Sequence, residues 1–144
     1  MEFSSGHDDF GISILLARIK DCSERKDFSE GNRIHLEISQ RNGLFKRNLY
    51  LGGALVNMYV KCGALVKAQE VFNELLVRNL ISWTALIVGY TQECNGERSL
   101  QCFDRMKSEG ILPDSIALAC TLRHSWSIEQ RARNTCCNCH RENN

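Results

Sequence analysis

The densest run of metal- and thiol-capable side chains is Cys136-Cys137-Asn138-Cys139-His140. It contains C-x-x-C-H, the spacing that attaches a c-type haem, and His124 is the one nearby residue that would extend it toward a zinc set. The surroundings support neither chemistry: no export signal precedes the run, no haem-sized domain surrounds it, and zinc would need a second ligand pair. No metal and no cofactor are therefore expected. A second kind of candidate is the hydroxyl of Thr84 with the carboxylate of Asp114. By residue type alone these are a helix-surface threonine and the cap of a helix entered from the Pro113-Asp114 turn. No nucleophile stands in a pattern with a base, so the chain is not expected to be an enzyme.

Whatever these residues do, helices position them, and the helices come in copies. Shifted by 31 residues, Ala54-Leu55-Val56 falls on Ala85-Leu86-Ile87, Tyr59 on Tyr90, Phe72 on Phe103, Asn73 on Asp104 and Leu75 on Met106. A fixed period of this size marks a repeat architecture. Apolar residues at helical spacing predict helices over Phe10–Cys22, Glu30–Gln40 and Ala54–Lys61, then from Leu65 to Leu76. Ser82 is a candidate N-cap for a helix from Trp83 to about Glu93, and Glu97–Glu109 follows, closed by Gly110 and Pro113. Arg41–Asn48 reads as a basic loop marked by Asn42-Gly43. Trp83, Tyr59 and Tyr90 fall at core spacing. Two short antiparallel helices cannot bury both faces alone, so successive units must stack. The expected fold is all-α, an α-solenoid of helix-turn-helix repeats.

Composition fits this. The 144 residues are 43% hydrophobic and 24% charged, which is globular rather than disordered. Residues 1–11 and the polar tail 129–144 are expected to be disordered. The net charge of +1 supplies no bulk attraction for nucleic acid. No run approaches the length of a membrane span. Met1–Phe10 has neither a basic n-region nor an apolar h-region and carries three acids without Arg or Lys. Neither a secretory signal nor an intact transit peptide is expected there. Without a secretory route, the eight cysteines read as reduced, with Cys62, Cys94, Cys102 and Cys120 packed in helical patterns.

The residues between the helices narrow the possibilities. YLGGALVNMYVKCGALVKAQEVFNELLVRN followed by LISWTALIVGYTQECNGERSLQCFDRMKSEGILPD resembles the pentatricopeptide repeat family of land plants, in the subclass whose motifs vary in length. Leu49–Asn79, 31 residues, resembles its short motif, and Leu80–Asp114, 35 residues, its full-length motif. KDC at Lys20–Cys22 and GNRIH at Gly31–His35 resemble the long variant, placing a degenerate long repeat at 12–48. Residues 115–128 look like the start of a truncated fourth repeat, and nothing beyond Ile128 resembles the family. The resemblance implies binding of single-stranded RNA, one base per repeat, in mitochondrion or chloroplast, in RNA processing, modification or editing. Other RNA-processing proteins would be further partners; a membrane or small-molecule substrate is not implied.

The family reads bases with the fifth and last residues of each motif. Carried over, the full-length repeat offers Thr84 and Asp114, a pair suited to guanine because a carboxylate accepts from its N–H donors. The short repeat offers Gly53 and Asn79, where Gly53 brings no side chain. The long repeat offers apolar Leu16 with Asn48. Second-position residues Tyr50, Ile81 and Ile116 would sandwich the bases. Some members of the family end in a zinc deaminase with an H-x-E motif. His35-Leu36-Glu37 matches it by letter, without the cysteine partners. Two rival readings remain: a tetratricopeptide-like adaptor for protein partners built on the same hairpins, and a truncated repeat fragment without activity.

Overall fold

The computed structural model describes residues 4–41 and 43–123, with side chains from Phe10 onward. Seven helices follow in order: α1 Ser4–Arg25, α2 Phe28–Ser39, α3 Leu44–Arg47, α4 Leu49–Lys61, α5 Leu65–Glu74, α6 Leu80–Gln92 and α7 Gly96–Ser108. Residues 115–123 open an eighth, α8. No strand occurs among the described residues. Helices α1, α4 and α6 pack side by side, while α2, α5 and α7 each pair with the first helix of their own unit. That is the expected solenoid, with the first helices forming one continuous layer.

The layer is held by the residues that recur at the 31-residue offset. Leu55, Val56 and Tyr59 of α4 and Leu86 and Ile87 of α6 are all but inaccessible, as are Phe72 of α5 and Met106 of α7. Trp83, Tyr59 and Tyr90 are core residues, as their spacing predicts. The turns between paired helices need left-handed backbone. Gly63 supplies it at φ 77° at no steric cost. At the equivalent place in the next repeat stands Cys94, at φ 59°, where a Cβ is strained.

Several boundaries differ from the sequence expectations. Residues 1–11, expected to be disordered, enter α1 from Ser4: a polar turn without proline is easily wound onto a helix whose later turns are packed. The basic loop 41–48 contains the short helix α3, pinned by buried Phe45; Asn42 itself lies outside the described residues. Helix α4 starts at Leu49 rather than Ala54, because Asn48 caps it, its Oδ1 accepting from the N–H groups of Tyr50 and Leu51 at 3.0 Å each. Gly52 and Gly53, poor helix formers, hide that first turn in the sequence. A Cβ at Gly52 would lie 2.9 Å from the carbonyl oxygen of Phe45, so this approach requires glycine. The cap of α6 is Asn79 rather than Ser82, and Ser82, three residues on, is its partner in a reciprocal capping box. Helix α5 stops at Glu74, two residues before the last apolar residue of the pattern. Cys94 sits in a turn and is exposed. The tail, with Cys136, Cys137, Cys139 and His140, and His124 and Ile128 also lie outside the described residues.

Candidate nucleic-acid interface

Three side chains stand up from the layer of first helices. Tyr50, Ile81 and Ile116 are 63%, 53% and 54% exposed, each in the first turn of its helix, and for α4 and α6 the turn that follows is largely buried. They wall two successive pockets. One of about 390 Å³ lies between Tyr50 and Ile81, over Leu16, Lys20, Ala54, Asn57 and Lys61. The other, of about 270 Å³, lies between Ile81 and Ile116, over Asn57, Thr84, Val88 and Asp114. Ile81 and Asn57 belong to both.

In the smaller pocket the structure brings Thr84 and Asp114 together. The Thr84 hydroxyl donates to Asp114 Oδ1 over a long 3.5 Å, and the same oxygen accepts the N–H of Ala117 at 2.9 Å. Asp114 is therefore the cap of α8 and a pocket residue at once. Capping and pocket lining do not compete, because the cap uses one carboxylate oxygen and a carboxylate has two.

The larger pocket differs. Gly53 is buried and presents nothing to it. A Cβ there would sit 3.3 Å from Asn79 Oδ1 and 3.4 Å from Ile81 Cγ2, so Gly53 and Asn79 adjoin as Thr84 and Asp114 do, but without a side chain. Asn79 serves as a cap: its Oδ1 accepts the N–H of Ser82 at 3.0 Å, and its Nδ2 donates to Leu49 O at 3.4 Å. Neither residue lines either of these two pockets. Asn48 is likewise a cap.

Lys20, Lys61 and Asn57 went unnoticed in the sequence. The two ammonium groups flank the larger pocket, and neither forms an ion pair with a carboxylate among the described residues. The signal was there: Gly53, Asn57 and Lys61 follow at four-residue spacing, which puts them on one face of α4.

The His35-Leu36-Glu37 motif is taken up by packing. His35 Nδ1 lies 2.8 Å from the Tyr59 hydroxyl, and Glu37 pairs with Arg18 at 2.9 Å and Arg41 at 3.6 Å. Burial first, then the charge of Lys67, holds the imidazole pKa below its ordinary value. Burial pushes the Tyr59 phenol up to about 12 and the Cys102 thiol up as well. Among the described residues no group of three or more His, Cys, Asp or Glu side chains is arranged to hold a metal ion. Among them, too, no helix is long and apolar enough to cross a membrane.

This architecture of stacked hairpins with a walled row of pockets defines a helical repeat protein. The family model described as PPR repeat matches residues 53–80 and 81–111. A pentatricopeptide repeat-containing protein of Arabidopsis thaliana is 38% identical over 122 residues, 83% of this chain and 19% of that protein. A mitochondrial one from the same plant is 36% identical over 122 residues, 83% of this chain and 11% of that protein. The chloroplastic protein DOT4 is 36% identical over 112 residues, 76% and 13% respectively. The chain belongs to the pentatricopeptide repeat family. It spans less than a quarter of the length of these relatives.

Proposed function

We propose that this chain binds single-stranded RNA in a sequence-dependent way. The exposed side chains of Tyr50, Ile81 and Ile116 act as partitions between successive bases, and Thr84 with Asp114 reads guanine between the last two. The observation that carries this is the row of two pockets sharing the Ile81 wall, with a hydroxyl–carboxylate pair in the second. A phenol ring and two aliphatic side chains give stacking and van der Waals contact to any base. A carboxylate beside a hydroxyl favours a base edge rich in N–H donors. Lys20 and Lys61 put positive charge where a phosphate would pass, which offsets the near-zero net charge. Gly53 and Asn79 make the short repeat permissive, and Leu16 adds apolar contact at its edge, Asn48 being taken up as a cap. The names of two relatives place those proteins in mitochondrion and chloroplast. An organellar role for this chain in RNA processing, modification or editing, beside other RNA-processing proteins, and its place in the subclass of variable motif length, follow as part of the proposal.

The test is binding of the purified chain to short single-stranded RNAs that differ only in whether one position is G, at low and moderate salt. A preference for G that disappears in Thr84→Ala and in Asp114→Ala supports base reading. Binding indifferent to sequence, or absent at low salt, overturns it. The adaptor reading has one observation in its favour: Leu16, Ile19 and Ala54 give the larger pocket an aliphatic floor, which suits an apolar peptide side chain. Peptide binding without RNA binding would be its signature.

A further inference from the structure

Arg78 stands at the corner where the short repeat ends. Its guanidinium lies 4.7 Å from the centroid of the Phe72 ring and 6.0 Å from that of Trp83, and its Nη1 reaches Glu109 Oε1 at 3.1 Å. Its Nε is buried with no hydrogen-bond partner, so ring faces rather than hydrogen bonds hold that end of the guanidinium. The pair spans 31 residues, one period of the repeat, and joins equivalent points of two successive units. Arg78 directly precedes the cap Asn79, from which the Ile81 wall rises. Glu109 directly precedes the left-handed turn at Gly110, φ 81°, which delivers Asp114 and the Ile116 wall.

The preceding junction is made differently. There the N–H of Leu76 donates to Lys46 O at 3.0 Å, a backbone tie, with Lys46–Glu74 at 3.0 Å beside it. At the second junction no backbone hydrogen bond joins the two ends among the described residues; the side-chain bridge from Arg78 takes its place.

We infer that Arg78, through Glu109, is a positioning residue that sets the separation of the Ile81 and Ile116 walls, and so the fit of the base that Thr84 and Asp114 face. This rests on the RNA reading proposed above. Neither residue lines the pocket, so both act through it. Arg78→Lys keeps the charge and loses the planar stack; Glu109→Gln keeps the shape and loses the charge.

The experiment compares RNAs with G or A at the read position, using the full chain well below its melting temperature. Ile38→Val, in the core of α2, serves as a control of ordinary destabilisation. Both bridge variants are expected to lower the G-to-A affinity ratio several-fold while binding to the A-containing RNA changes less than twofold, and Ile38→Val is expected to leave the ratio intact. An unchanged ratio in Glu109→Gln, against a wild-type chain that prefers G, overturns the inference and leaves the RNA reading standing. A ratio that falls equally in Ile38→Val overturns it too, since the effect would then follow stability alone. Should Arg78→Lys fail to fold, Glu109→Gln on the surface decides. A wild-type chain with no G preference removes the RNA reading and this inference together.

Discussion

The two pockets share a wall and a plan but differ in what their floors present. Sliding by 31 residues sets Gly53 against Thr84 and Gly52 against Trp83. In the short repeat, Gly52 lets α4 settle close to Phe45 and Leu75, and the pocket beside it is wider, basic and without a carboxylate. In the full-length repeat, the inaccessible Trp83 stands at the equivalent position, and Thr84, itself buried, adds a hydroxyl to the pocket lining. The two repeats thus differ at two adjacent positions: Gly52 gives the short repeat its close packing where Trp83 stands in the next, and Thr84 gives the full-length repeat a hydroxyl where the short one has Gly53.

The largest effect comes from removing what the full-length repeat has in place of Gly52. Trp83 is inaccessible and packs edge-on to Phe72 with ring centroids 4.5 Å apart. Trp83→Ala should cost about 3–5 kcal/mol, a large part of a total that is typically about 5–15 kcal/mol. Denaturant unfolding measures it. A loss below about 1 kcal/mol would mean that the ring does not organise the third repeat.

Next is the contrast between reading and capping. Asp114→Asn retains a good N-cap but presents N–H donors as well as an acceptor. Stability should hold within about 0.5 kcal/mol. The G preference should fall by about 1–3 kcal/mol, on the scale of a good base contact. If stability falls and preference does not, Asp114 is a cap alone. The reciprocal change, Gly53→Thr, grafts a hydroxyl beside Asn79. Its Cβ would lie 3.3 Å from Asn79 Oδ1, tight enough to need a small shift, while helix propensity improves by a few tenths of a kcal/mol. Discrimination among bases at the Tyr50–Ile81 position should rise from none to about 1 kcal/mol. Equal binding of all four bases by this variant would show that the fifth residue does not choose the base.

These contrasts were unequally visible in the sequence. The helices and the core were legible because Leu55, Val56, Tyr59, Leu86, Ile87 and Tyr90 repeat at helical spacing, which burial of one face demands. The start of α4 was not, since Gly52-Gly53 argues against helix on propensity and the reason for Gly52, the approach of Phe45, lies in the preceding unit. Helix α3 was lost similarly: Phe45 is a lone aromatic in a basic stretch until α4 packs against it. The pairing of Thr84 with Asp114 came from the resemblance rather than from spacing. Asn57 and Lys61 share a face of α4 by their four-residue spacing, but their meeting with Lys20 at one pocket depends on α1 packing against α4, which no local pattern encodes.

A smaller difference lies in the turns. Gly63 and Cys94 occupy equivalent left-handed places at φ 77° and 59°, and only the second carries a Cβ. Cys94→Gly should stabilise by about 1 kcal/mol, relief of the left-handed penalty less the entropy that glycine adds to the unfolded chain. Gly63→Ala should destabilise by a similar amount. Opposite signs of the two melting shifts are the expected result, and equal signs would break the equivalence of the turns.

The last contrast is in how the junctions titrate. Tyr59 and Tyr90 are equivalent; the first meets His35 at 2.8 Å, whereas the hydroxyl of the second donates to uncharged Gln69. Burial and the Lys67 charge depress the His35 pKa, so the folded chain binds that proton more weakly than the unfolded chain. The resulting stability is complete above the unfolded value of about 6.5 and is lost as the pH falls from there through the folded value. Burial also raises Tyr59 to about 12, so its share is present below the unfolded value of about 10 and is lost as the pH rises through 12. Denaturation of wild type and His35→Gln at pH 7.5 and pH 5 isolates the acid limb, because the surface carboxylates are common to both. The difference in stability between wild type and variant should shrink at pH 5, and Tyr90→Phe should give no such change. A pH-independent difference for His35→Gln would place that imidazole in water in the folded chain, and the two junctions would then be electrostatically alike.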